Sequence, residues 1–305
     1  MAARGTWRKL TVLPLVMLAS AAFIGCGKQE GAPAQVEAAP APAAGDTTAA
    51  VVQAAKAEVR LHQTFEEATI ADQPDQYLPD KTLGGKSVGK LYEQVVKRWN
   101  HVSFLTGKGD QLVYTATIDT ELGSIDIDLF PEQAPNHVRN FVALAQCGYF
   151  DGLVFERTLS EQAEEDPNNR VELIEGGCPV GTGNPGFGSI GYWLKPEFSE
   201  ALKHEEGMVG ACRGEDPDTA ACRFYVTLSK APVMDGERTI FGKVTRGLDV
   251  VRRIATQPVL NTPDYPLGDR PQKPVVIRKV TVKVRPAGTV SAPAPEAKAG
   301  DTKKP

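Results

Sequence analysis

The residues of this 305-residue chain equipped for chemistry are its five cysteines, its four histidines and a few charged side chains on strand-like segments. His62, His101, His137 and His204 fall at no metal-ligand spacing and there is no CxxC pair, so neither a metal nor a cofactor is expected. Cys26 aside, Cys147, Cys178, Cys212 and Cys222 form an even set, and in an exported protein four cysteines admit three full disulfide pairings. Cys212 and Cys222 flank the polar, turn-like Arg-Gly-Glu-Asp-Pro-Asp-Thr, which favours that pair at the base of a hairpin. Leu173 and Glu175 are two residues apart, as are Arg223 and Tyr225, so each pair shares one face of a strand. Arg157 closes the run Phe155-Glu156-Arg157; a strand arginine judged alone pairs with a surface carboxylate. The formal charge of −4 leaves no basic surplus to neutralise phosphates, which argues against a nucleic-acid partner.

These residues need elements to hold them. With 41% hydrophobic and 24% charged residues, most of the chain can bury a core. Residues 58–111 read as a helical pre-segment, clearest over Ser87–Trp99, where Val88, Leu91, Val95, Val96 and Trp99 recur at helical spacing. From Leu112 the pattern alternates, turns at Glu121-Leu122-Gly123 and resumes through Ile125, Ile127 and Leu129, as in a hairpin. A helix over Pro131–Gln146 follows, then strands at Leu153–Arg157, Val171–Gly176, Gly207–Cys212, Arg223–Leu228, Thr239–Val244 and Val275–Val284. A second helix fits Leu248–Ala255. Many short strands with two helices predict a mainly β domain over 112–286, a closed antiparallel barrel capped by helices. The acidic stretch Ser160–Arg170 reads as a solvated loop, and 287–305 as a disordered tail.

The N-terminus carries an address. Arg4, Arg8 and Lys9 precede fifteen mostly apolar residues, Leu10–Ile24, too short for a spanning helix and suited to a secretory leader. The ending Phe23-Ile24-Gly25-Cys26 resembles a bacterial lipoprotein processing site. That resemblance implies a signal peptide over 1–25, acyl chains on Cys26, and a lipid-anchored protein of the bacterial cell envelope, its domain facing the periplasm or the outside. Residues 31–50 hold nine Ala and three Pro, so 26–57 is expected to be a disordered tether.

Three blocks carry a further resemblance. The first is Ala134-Pro135-Asn136-His137-Val138-Arg139-Asn140-Phe141 with Gly148-Tyr149-Phe150-Asp151-Gly152-Leu153-Val154-Phe155-Glu156-Arg157. The second is Ile174-Glu175-Gly176-Gly177-Cys178-Pro179 with Gly181-Thr182-Gly183 and Pro196-Glu197-Phe198. The third is Arg223-Phe224-Tyr225-Val226-Thr227 with Met234-Asp235-Gly236 and Phe241-Gly242-Lys243-Val244. In this order they resemble the cyclophilin family of peptidyl-prolyl cis-trans isomerases. The resemblance implies an eight-stranded antiparallel barrel with two capping helices and a proline pocket on an outer face. It implies that Arg157 stabilises the twisted imide and that Leu173, Tyr225 and Met234 floor the pocket. Glu175, Cys212, Arg213, Arg223 and Arg238 take further substrate-binding positions, and the expected partner is a proline-containing polypeptide met by a monomer.

Several positions depart from the family's pattern. Glu156 replaces a histidine, Glu172 an aromatic, Glu175 and Arg223 glutamines, Arg213 an asparagine and Arg238 a histidine. Glu175 is placed to pair with Arg157 or Arg223, and a carboxylate that grips Arg157 would hold it in position and weaken its field. The alternative reading is therefore a weak or inactive module of the same fold that binds proline-containing segments or a protein partner.

Overall fold

The computed structural model describes residues 61, 63–71, 76–162, 170–262 and 265–288. The expected leader over 1–25, Cys26 and the expected tether over 26–57 lie outside the described residues, as does the expected tail beyond residue 288.

Aromatic packing organises the pre-segment. A one-turn helix α1 (Phe65–Ala68), capped by Thr64 and Glu67, leads into the short strand β1 (Thr69–Ile70). Helix α2 (Val88–Trp99) buries Val88, Leu91, Val95 and Trp99. Phe65 meets Tyr92, Trp99 and Tyr192 edge-on, with ring centroids 5.9, 5.4 and 5.0 Å away.

Alternation then builds the sheet. In β2 (Leu112–Thr120), Tyr114, Ala116, Ile118 and Thr120 are buried and their neighbours half-exposed. Strand β3 (Gly123–Leu129) returns with Thr120 opposite Gly123, whose φ of 128° suits a residue without Cβ. Helix α3 (Pro135–Gln146) starts four residues later than the pattern predicts, because Pro135 lacks an N–H and is preset for a first helical position. Its free N–H groups at Asn136 and His137 donate to Glu197 at 3.1 and 2.9 Å, the carboxylate standing in for an N-cap.

Strands β4 (Phe155–Gln162), β5 (Arg170–Gly176), β6 (Trp193–Leu194), β7 (Met208–Ala211), β8 (Phe224–Thr227) and β9 (Ile240–Arg246) follow. Helix α4 (Leu248–Ala255) buries Val250, Val251 and Ile254. A hairpin of β10 (Val259–Thr262) and β11 (Tyr265–Pro271) is inserted before β12 (Ile277–Pro286). Eight strands form one antiparallel sheet, in the order β12-β2-β3-β9-β7-β8-β5-β4. The two ends of this order meet at one point: Val154 bridges Val276, and Phe155 N donates to Val275 O at 2.9 Å.

Two expectations are corrected. Ser160–Gln162 is not loop but strand, paired with Arg170–Glu172 as an extension of the β4–β5 hairpin. The Cys212–Cys222 disulfide is absent: Cys147, Cys178, Cys212 and Cys222 are all free. Cys212 N donates to Arg223 O at 3.1 Å, so Cys212 stands across from Arg223 rather than Cys222. A one-residue offset reverses the face, and Cys222 enters the main core while Cys212 joins a separate outer cluster. Burial pushes the Cys222 thiol up to about 12, which leaves it protonated and inert.

Candidate active site

Strand register sets out the site. Arg157 on β4 pairs with Glu175 on β5, Glu175 with Tyr225 on β8, and Tyr225 with Gly210 on β7, a row across four strands. Beside it lies an apolar cluster outside the main core: Leu173, Cys212 and Tyr225, with Leu159, Val171 and Met234 packed against them. The sequence pairs Leu173/Glu175 and Arg223/Tyr225 thus reach one region. A cavity of about 540 Å³ opens next to this cluster, with Leu159, Glu172, Arg252 and Asp269 in its lining.

Tyr225 is locked from behind. Its ring crosses Gly210, where a Cβ would collide with the phenol. His204 places Nε2 2.7 Å from Tyr225 Oη and Nδ1 2.8 Å from Asp235 Oδ1. A carboxylate only accepts, so Nδ1 carries the proton and Nε2 accepts from the tyrosine. Burial lowers the His204 pKa and keeps this neutral form, despite the opposing pull of Asp235.

Arg157 is held on two sides. Its Nε donates to Asp269 Oδ2 at 2.7 Å and its Nη2 stands 2.6 Å from the same oxygen. Its Nη1 lies 3.2 Å from both oxygens of Glu175. Burial acts to lower its pKa, yet Glu175 and Asp269 together raise it, so the guanidinium is charged throughout. Gly183 packs on its aliphatic stem with φ 72°, and a Cβ there would strike Cγ and Cδ of Arg157.

Behind Arg157 the charges continue inward. Arg223 Nη2 bonds Glu175 Oε2, and Arg223 Nε lies 3.4 Å from Glu156 Oε1. Glu156 Oε1 also accepts from Cys178 N at 3.1 Å, while its Oε2 has no hydrogen-bond partner. Desolvation raises the Glu156 pKa to about 7 against the opposing pull of Arg223, with Glu175 adding to the rise. Arg223, only 3% exposed, is held in this buried network.

Arg213 and Arg238, the remaining charged residues of the expected site, bond to loop carbonyls. Arg213 donates to the carbonyls of Gly214, Glu215 and Glu237 and so clamps two loops together. Arg238 Nη1 donates to Arg213 O at 3.1 Å. Asp269, His204 and Asp235 complete the site, and sequence reasoning missed all three. The histidine reading looked for metal ligands, and neither separation, 21 residues to Tyr225 nor 31 to Asp235, has a local signature. Asp269 sits 112 residues from Arg157 in a Pro/Gly-rich stretch with no strand pattern.

With this geometry in hand, comparison with known proteins places the chain. Residues 115–282 match the family model "Cyclophilin type peptidyl-prolyl cis-trans isomerase/CLD", and the chain belongs to that family. It is 32% identical over 175 residues to peptidyl-prolyl cis-trans isomerase CYP18-1 of Arabidopsis thaliana, covering 56% of this chain and 98% of that one. It is 34% identical over 170 residues to peptidyl-prolyl cis-trans isomerase-like 3 of Gallus gallus, covering 56% of this chain and 96% of that one. Against the longer peptidyl-prolyl cis-trans isomerase-like 2 of Rhizopus delemar it is 32% identical and spans 29% of the relative's length. A solved cyclophilin type peptidyl-prolyl cis-trans isomerase of Cryptosporidium parvum aligns with TM-score 0.48 at 24% identity, covering 57% of this chain and 99% of that one.

Proposed function

We propose that this chain is a peptidyl-prolyl cis-trans isomerase that acts on proline-containing polypeptides, with Arg157 as its catalytic residue. Twisting an imide bond breaks amide resonance, at a barrier of about 18–20 kcal/mol. Half-way through the twist the imide nitrogen regains a lone pair, and a donor that meets it there lowers the barrier without any covalent step. The observation that carries this reading is the seat of Arg157, at the end of the four-strand row beside the Leu173–Cys212–Tyr225 cluster. The apolar cluster would take the pyrrolidine ring and the guanidinium would face the nitrogen. We take the domain to be a closed barrel, a reading supported by the Val154–Val276 bridge between the two ends of the sheet. The basic head, the apolar run Leu10–Ile24 and Cys26 support a lipid-anchored protein of a bacterial envelope, assisting the folding of proteins there, and we take it to act as a monomer.

The test is exchange NMR on an Ala-Pro peptide. Protein is expected to accelerate cis–trans exchange, and Arg157→Ala to remove most of that acceleration, on the order of 10²-fold, as for loss of one charge-stabilising donor. A wild-type rate equal to the uncatalysed one would end the enzyme reading. The second reading, a binding module, is favoured by the two carboxylates already on Arg157. Saturable peptide binding without acceleration would decide for it.

A further inference from the structure

We propose that Asp269 is a positioning residue that sets the rate of this site: it fixes Arg157 in place and withholds part of its charge from the substrate. The inference rests on the isomerase reading and extends it to an element outside the four-strand row. An arginine has five N–H groups. Asp269 Oδ2 takes the two closest contacts of this one, from Nε at 2.7 Å and Nη2 at 2.6 Å, against 3.2 Å for those to Glu175. Glu175 divides its carboxylate between Arg157 and Arg223. What remains for a bound peptide is one proton on Nη1 and one on Nη2, on a side chain 21% exposed.

The carboxylate is delivered by a built support. Asp269 lies on β11, in the hairpin inserted between α4 and β12, and is 8% exposed. Its own carbonyl accepts from Thr158 Oγ1 at 3.4 Å, on the strand that carries Arg157. The next residue, Arg270, donates to Gly181 O at 2.6 Å, in the loop whose Gly183 packs on the Arg157 stem. The hairpin is therefore pinned on both flanks of the arginine. A charge-assisted bond of this kind is about twice as strong as a neutral one. It draws on the same field that the twisted imide needs, and that demand exists only in the transition state.

Asp269→Asn separates the two effects, since the amide oxygen still accepts from Nε but the negative charge is gone. We expect kcat for the Ala-Pro peptide to rise about fivefold, the factor that separates a charged from a neutral acceptor, with KM unchanged within about twofold. The Arg157 Nε–H resonance should move upfield while remaining in slow exchange with water. Asp269→Ala removes the acceptor too, and is expected to raise KM as the arginine loosens. A kcat that stays level or falls in Asp269→Asn, with wild-type activity present and lost in Arg157→Ala, overturns this inference and leaves the isomerase reading intact. No acceleration by wild type or by either Asp269 variant overturns the isomerase reading itself.

Discussion

Glu156 is the most confined charge in the site. Its carboxyl is fully buried, with one oxygen unpartnered and the other shared by Cys178 N and Arg223 Nε. Burial raises its pKa from 4.5 to about 7, with Arg223 and Glu175 the charged groups that face it. Between those two values the folded protein holds a proton that the unfolded chain has released. The stability contributed by Glu156 is therefore full below the unfolded value and lost as pH rises through 7. Glu156→Gln keeps an acceptor for Cys178 N and cannot ionise. Urea midpoints measured from pH 5 to pH 8 should fall less steeply in the variant than in wild type. Parallel declines in the two proteins would mean that another group titrates. His204 gives the opposite sign: with its pKa lowered by burial, its contribution is present above the usual histidine value and lost as pH falls through the folded one.

At the scale of elements, helix α3 shows how a family motif earns its place structurally. Every residue from Pro135 to Ala145 is buried, so the helix cannot lean on water to satisfy its first N–H groups. Glu197 comes from the Pro196-Glu197-Phe198 block to bond Asn136 N, His137 N and the His137 ring, the last at 2.7 Å. Glu197→Ala leaves those donors buried without an acceptor. The expected loss is about 2 kcal/mol of unfolding free energy, measured by urea denaturation, with little change in the isomerisation rate. A change below about 0.5 kcal/mol would show that the helix start is held by packing alone.

At the scale of the whole molecule, the pre-segment and the domain share one core. Arg139 of α3 stacks over Trp99 and Phe104 with its guanidinium carbon 5.5 and 5.0 Å from the ring centroids. It also donates to the carbonyls of Val102 and Gln63, and Trp99 Nε1 donates to Gln63 O at 3.1 Å. The segment before β2 is thus integral to the fold rather than an appendage. No helix among the described residues is long and apolar enough to cross a membrane. The proposed membrane attachment is through acyl chains at Cys26. Cys26→Ser in an expressing bacterium should shift the protein from the membrane pellet to the soluble fraction. Equal membrane fractions for both would remove the anchor from the proposal.

What the amino-acid order determined by itself is whatever local stereochemistry decides. Period-two alternation marked Tyr114, Ala116 and Ile118 for the core, and period-3.6 spacing marked the buried stripe of Val88, Leu91, Val95 and Trp99. It also put Leu173 with Glu175 and Arg223 with Tyr225 on common faces, while the family resemblance offered Glu175 as a partner for Arg157 or Arg223, and Glu175 bonds both. Tertiary structure alone decided the register, which separated Cys212 from Cys222 by one residue and so by the thickness of the sheet. It alone brought Asp269 to Arg157 and His204 to Tyr225. Such contacts close long loops, and no near-neighbour pattern encodes them; they exist only once the strands between have paired.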